Sequence, residues 1–206
     1  MPRKKHQMSR ATTWEALVSS HFAYLVDEFH MKVISRDAST NWETSVTYGR
    51  DPVGVIIRES VEFDRVEIEL VRLVDGGVPA TPIFVHPDTP IDRGLFDHVL
   101  AIRAPEEQRV LGGLQGLDPD SVNRSLEFLG PGLKQWASDF LAGDTAVIDL
   151  IGDRIHQRVA ANPEKVTINF PEGTPDVDIA AAVASAKNLD PRVPVEVRFY
   201  RRPVKK

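Results

Sequence analysis

The spacing of apolar residues changes along this chain, and this change restricts its fold more than any other sequence feature. From Trp14 to Phe29, apolar residues recur every three or four positions, which predicts an amphipathic helix of about five turns. From Thr44 to Leu73 they alternate with polar residues, which predicts an antiparallel sheet of three or four strands with one solvated face. Between residues 95 and 159 the helical spacing returns. A helix, a sheet and a helical half in this order indicate an α+β fold.

The pattern after Asn162-Pro163 indicates a separate C-terminal unit. Alternation over Val166–Phe170, an alanine-rich helical segment from Thr174, and a second alternation over Val193–Phe199 predict an appended β-α-β unit. We therefore expect a basic flexible tail over residues 1–10, an α+β body over residues 11–162, the β-α-β appendage over residues 163–202 and a basic tail over residues 203–206. Because two strands and one helix are too small to be stable alone, we expect the appendage to dock on the body or on a partner.

Three local patterns predict where elements of the body end. Residues 36–41 are polar and predict a loop. Asp92, Asp118 and Asp144 are suitable N-caps for the helices that follow them. Gly130-Pro131-Gly132 predicts a helix break, because proline lacks a backbone N–H and clashes with the preceding turn.

Charge is distributed unevenly along the chain. The first ten residues carry a net charge of +4 and the last fifteen +5, against −5 for the whole chain, which leaves −14 for residues 11–191. Surfaces that bind nucleic acid are usually basic, so the acidic body disfavours that role and favours a basic partner.

Composition excludes several kinds of site and compartment. The chain has no cysteine, which excludes disulfides, thiolate zinc sites and a cysteine nucleophile. No apolar run approaches the roughly 20 residues that a membrane-spanning helix needs, and residues 12–29 lack the uninterrupted apolar core of a signal peptide. We expect a cytoplasmic protein that makes no contact with membranes.

Motifs for catalysis and metal binding are absent from the sequence. It contains no Gly-x-Ser-x-Gly, and the glycine-rich stretch at residues 112–116 is not followed by the Lys-Ser/Thr of a phosphate-binding loop. We therefore expect no catalytic residues and no cofactor. His86, Asp88 and Asp92 are candidate metal ligands, but a proline-rich polar loop has the same composition by default, so we expect no metal.

Two groups of residues are candidates for binding a partner. Trp42, in a polar segment, is either a hot spot for a protein partner or a cover for the sheet edge, and Glu67 and Glu69 lie on the polar strand face, which is either simply solvated or meets a basic partner. The basic ends, with Phe199 and Tyr200, suit single-stranded nucleic acid or merely keep the chain ends solvated. The basic candidates are Arg3, Lys4, Lys5, Arg198, Arg201, Arg202, Lys205 and Lys206.

The order of these features resembles a widespread family of small bacterial α+β proteins of no known activity. The resemblance covers roughly residues 14–160 and is carried by Phe22-x-x-Leu25-x-x-Glu28-Phe29, Val46-x-Tyr48, Val53-x-Val55, Val66-x-Ile68-x-Leu70-x-x-Leu73 and Phe140-Leu141-x-Gly143-Asp144. Some members are suspected of acting as immunity-type or partner-binding modules in competition and defence loci. The resemblance therefore implies protein binding and supplies no catalytic residues.

Three functions stay open on the sequence. The first is a non-catalytic, cytoplasmic protein-binding module, such as an immunity-type neutraliser of a basic toxin or effector. The second is a nucleic-acid-associated accessory protein that acts through its basic termini. The third is an enzyme whose site is assembled from scattered residues, and the sequence favours the first of these over an enzyme.

Overall fold

The structure is a computed structural model, and it describes residues 14–40, 43–60, 63–80, 89–161, 165–171, 174–189 and 194–200. The chain divides into two compact units. The first has the bounds Met1–Ala80 and Pro90–Asp153, and the second Thr81–Thr89 and Arg154–Lys206.

The first unit is built around an antiparallel sheet, which has five strands within the described residues and follows the chain order. This confirms the predicted α+β fold, with one strand more than predicted. The fifth strand has only three residues, too few to show an alternating pattern in the sequence. The strands are β1 (Lys32–Thr40), β2 (Glu43–Arg50), β3 (Val53–Ser60), β4 (Arg65–Arg72) and β5 (Arg93–Leu95).

Strand β1 extends through most of the predicted loop. The prediction of a loop from residue 36 is wrong, because Arg36 pairs with Val46 and Thr40 pairs with Glu43. Strand β1 lies at the edge of the sheet, and residues 34–37 are exposed. Polar residues on an edge strand resemble a loop in sequence, and only the pairing with β2 distinguishes the two.

Seven helices of the described chain begin in the first unit, and one lies in the second. The apolar face predicted near the N-terminus is correct, since Trp14, Val18 and Leu25 are buried, but the helix is interrupted at Phe22. The helices are α1 (residues 14–21), α2 (Ala23–Asp27), α3 (Phe96–Arg103), α4 (Pro105–Gly112), α5 (Pro119–Trp136), α6 (Ser138–Leu141), α7 (Ala146–Ala161) and, in the second unit, α8 (Asp176–Leu189).

Helix α5 continues through Pro131, so the predicted break is wrong. Pro131 is exposed, whereas Leu129, Gly130 and Leu133 are buried on the opposite side. The buried side fits closely against the N-terminal helices, because a Cβ at Gly130 would lie 3.0 Å from the carbonyl oxygen of His21. Tertiary packing of an amphipathic face therefore outweighs the hydrogen bond that proline removes.

Two of the predicted N-caps are present in the structure, and one is not. The Asp118 carboxylate accepts a hydrogen bond from the Ser121 N–H at 3.1 Å at the start of α5, as its sequence Asp-Pro indicates. The Asp144 carboxylate accepts one from the Ala146 N–H at 2.9 Å before α7. Asp92 caps no helix, because β5 follows it and α3 begins only at Phe96, without a side-chain cap.

The second unit contains the predicted β-α-β motif. Strands β6 (Val166–Pro171) and β7 (Val195–Tyr200) pair in parallel, with Val166 opposite Val195, and α8 connects them. Phe170 and Phe199 lie in neighbouring positions, with ring centroids 6.5 Å apart. The parallel pairing follows from the length of the connection, since parallel neighbours need a crossover segment of helix length.

Candidate protein-interaction surface

Glu67 and Glu69 occupy the face of β4 opposite to Ile68 and Leu70. Their residues are only 4% and 7% exposed, so the expectation of a solvated acidic face is wrong. Both faces of the central strands are buried, and Val71 lies in an apolar cluster on the same face as the two glutamates. A buried carboxylate must be paired with a cation or hydrogen-bonded, and both of these are.

Three arginines, from β3, β4 and β5, neutralise these two carboxylates. Arg58 lies directly opposite Glu67, and its Nε donates to Glu67 Oε2 at 2.9 Å. Arg65 donates through Nη2 to the other oxygen at 2.6 Å. Glu69 accepts two hydrogen bonds from Arg93, each of 2.6 Å, in the bidentate geometry that favours such pairs. These glutamates have internal partners, and their role in partner binding stays a prediction.

A second acidic surface lies at the tip of the β3–β4 hairpin. We call it the hairpin–α4 surface and define it by Phe63, Asp64, Val110, Glu107 and Asp120. The Gly116 N–H donates to the Asp64 carbonyl at 2.7 Å, which joins the hairpin to the segment between α4 and α5. The Arg65 guanidinium lies 5.8 Å from the ring centroid of Phe63, and it lines a small cleft together with Leu111 of α4.

The apolar side chains of the hairpin–α4 surface are open to solvent. Phe63 is 54% exposed and Val110 is 51% exposed. Exposed aromatic side chains are frequent anchors of protein interfaces, although single exposed apolar residues are also normal on monomers. Phe63 and Val110 alone therefore do not distinguish this surface from an ordinary protein surface, and the charged residues beside them have to be considered.

The carboxylates of the hairpin–α4 surface are not neutralised. Asp64, Glu107 and Asp120 have no ion pair within the part of the chain that the structure describes. The adjacent Asp118 caps α5, and hydrogen bonds from the Ser121 side chain and backbone lower the pKa of its carboxyl. Sequence analysis missed this surface, because its residues come from three segments, the hairpin, α4 and α5, that only the fold brings together.

Most of the other predicted site residues lie outside the described residues. This holds for Trp42, for His86 and Asp88, and for all the basic candidates except Arg198. Asp92 lies within the described chain and forms an ion pair with Arg72 at 3.3 Å. The described residues contain no group of three or more potential metal ligands.

Arg198 is bound to a carboxylate on its own strand. Its Nε donates to Glu196 Oε1 at 2.8 Å, and Lys165 also forms an ion pair with Glu196. Hydrogen bonds from Arg198 and Lys165 lower the pKa of Glu196 to about 2. The basic charge of Arg198 is therefore partly compensated on the surface of the second unit.

The chain matches no protein-family model, no curated protein and no solved structure. No helix within the described residues combines the length and apolar character needed to cross a bilayer.

Proposed function

We propose that the chain is a non-catalytic protein-binding module for a basic partner. An immunity-type protein that neutralises a basic toxin or effector is an example of such a module. The observation that carries the proposal is the hairpin–α4 surface, where Phe63 and Val110 are exposed and Asp64, Glu107 and Asp120 form no ion pair with other described residues.

Two physical arguments support a basic protein as the occupant. Apolar anchors contribute binding free energy when they are buried in a partner, and surrounding charges select and orient that partner. The anchors here are Phe63 and Val110, and the charges are Asp64, Glu107 and Asp120. A lysine- or arginine-rich surface would pair with these carboxylates, whereas a nucleic acid would be repelled by them.

The hairpin–α4 surface is a better candidate for binding a basic partner than the strand face that carries Glu67 and Glu69. Those two glutamates already accept hydrogen bonds from three arginines, so a basic partner would have to displace existing ion pairs. The carboxylates of the hairpin–α4 surface require no such displacement.

Site-specific photo-crosslinking tests the proposal. A photoreactive phenylalanine analogue is placed at position 63 and, as the control, at position 150 on α7, where Leu150 is 49% exposed. Crosslinking is carried out in the native lysate after nuclease treatment. We expect a basic protein to be captured from position 63 and not from position 150, and to be lost with Asp64→Lys or at high salt.

Two outcomes would contradict the proposal. Equal capture from positions 63 and 150 would mean that the surface has no specificity. Loss of the product on nuclease treatment would assign the interaction to nucleic acid instead.

A further inference from the structure

A cleft lies at the other end of the same sheet, where β2 turns into β3. Its cavity volume is about 280 Å³, close to the lower limit for sites that bind small molecules. It lies entirely within the first unit and is separate from the hairpin–α4 surface. The residues that matter for its chemistry are His30, Lys32, Ile34, Gly49, Asp51 and Leu73.

The floor of the cleft is apolar, and its packing depends on the absence of a side chain at Gly49. Gly49 of β2 is paired with Gly54 of β3, so two neighbouring positions on one face have no Cβ. The side chains of Ile34 and Leu73 fill part of this space, since a Cβ at residue 49 would lie 2.9 Å from Ile34 Cδ1 and 3.3 Å from Leu73 Cδ1. Ile34 and Leu73 therefore cover Gly49 and form the apolar floor of the cleft.

A β-bulge directs Ile34 towards this floor. Val33 pairs with Tyr48 and Ser35 pairs with Thr47, which leaves Ile34 as the extra residue of β1. Bulges reorient side chains and are frequent next to functional sites. Ile34 is still 42% exposed, so an apolar ligand would cover surface that water contacts in the free protein.

The rim supplies positive charge from Lys32 and Arg50. Lys32 pairs directly with Gly49 across β1 and β2, and it is exposed, with no ion pair or hydrogen bond within the described residues. Arg50 also lines the cleft, and its Nη2 donates to the Leu141 carbonyl at 3.3 Å. Its Nε is buried without a hydrogen-bond partner, and its guanidinium forms no ion pair within the described residues. The carboxylate among the lining residues is that of Asp51.

We propose that this cleft binds a small carboxylate with an aromatic or branched apolar body. The body would lie against the side chains of Ile34 and Leu73, which cover Gly49, and the carboxylate would pair with Lys32, a charge-assisted contact. This site is independent of the proposed binding of a basic protein, which uses the opposite end of the sheet.

The experiment is a titration followed by the backbone amide signals of the ¹⁵N-labelled full chain. The probe is 3-phenylpropionate, and the matched neutral probe is 3-phenylpropanol. We expect saturable shifts at Lys32, Ile34 and Gly49 below about 20 mM, as weak ligands of this size allow. Tighter binding of the carboxylate than of the alcohol would support the assigned role of Lys32.

Two variants separate the charge from the fold. Lys32→Glu should weaken binding of the carboxylate by about fivefold or more, and leave binding of the alcohol unchanged. The control Lys187→Glu makes the same change in net charge at an exposed position of α8 and should have no effect. Gly49→Ala, with its folding checked by thermal unfolding, should weaken the binding of both probes.

The proposal would be overturned by any of three results. These are an absence of saturable shifts up to the highest concentration, shifts centred on residues outside the cleft, and equal affinity of the carboxylate for the wild type and Lys32→Glu.

Discussion

Single residues of this protein show how strongly a buried charge depends on its partners. Glu67 is buried among Arg58 and Arg65, and its two oxygens accept from different arginines. Removing one member of a buried ion pair leaves the other charge without compensation, which costs more than the pair contributes. The arginines here are partly exposed, so solvent reduces that cost.

We predict that Glu67→Gln lowers the free energy of unfolding by about 2 kcal/mol, because glutamine keeps the shape of the side chain but not its charge. Chemical denaturation at neutral pH measures this. The matched control is Glu106→Gln on α4, where the ion pair with Arg109 is largely exposed and its loss should not change stability measurably. Equal effects of the two substitutions would contradict the assignment.

Among the elements, α5 shows how packing determines a helix against its local sequence. Gly130 and Pro131 are both unfavourable inside a helix, yet Gly130 is buried and Pro131 is exposed. The Tyr24 hydroxyl donates to the Gly130 carbonyl at 2.8 Å, which fixes this turn against the N-terminal helices. The two residues should therefore respond differently to the same substitution.

We predict that Pro131→Ala raises the free energy of unfolding by about 1 kcal/mol, because it restores a backbone donor at an exposed position. Gly130→Ala should lower it by about 1 kcal/mol or more, because the added Cβ would crowd the His21 carbonyl. Thermal and chemical unfolding of both variants provide the comparison. Stabilisation by Gly130→Ala would show that the contact with His21 can relax.

Across the whole molecule, acidic residues outnumber basic ones, and the fold lowers the pKa values of several carboxyl groups. Arg103 donates to both oxygens of Asp139, at 2.6 and 2.5 Å, and this lowers the pKa of the Asp139 carboxyl. In the unfolded chain the same carboxyl has its ordinary pKa, so the unfolded state binds this proton first as the pH falls. The stabilisation is complete above about pH 4 and is lost as the pH falls through the folded-state pKa.

We predict that Asp139→Asn reduces the loss of stability that the protein undergoes between about pH 6 and about pH 3. Asparagine can still accept the hydrogen bond from the Phe140 N–H, so the local turn is preserved. Urea unfolding of wild type and variant at both pH values measures the effect. An identical pH dependence would mean that the ion pair with Arg103 contributes nothing to acid sensitivity.

Patterns that depend on neighbours in sequence were predicted correctly. The alternation in β3 and β4, the caps at Asp118 and Asp144, and the β-α-β unit each follow from residues a few positions apart. Such patterns reflect local backbone preferences and the period of side-chain directions, which act within one element.

Contacts between segments that are distant in the chain determined which charged side chains are buried and which candidate binding surfaces form. The alternation in β4 placed Glu67 and Glu69 on one face, but only the pairing with β3 and β5 brought Arg58 and Arg93 to them. The hairpin–α4 surface and the cleft above Gly49 likewise join residues far apart in the chain. The sequence by itself therefore determined which elements form, and the tertiary structure decided which of their charges remain exposed, because burial and ion pairing depend on contacts that no local pattern encodes.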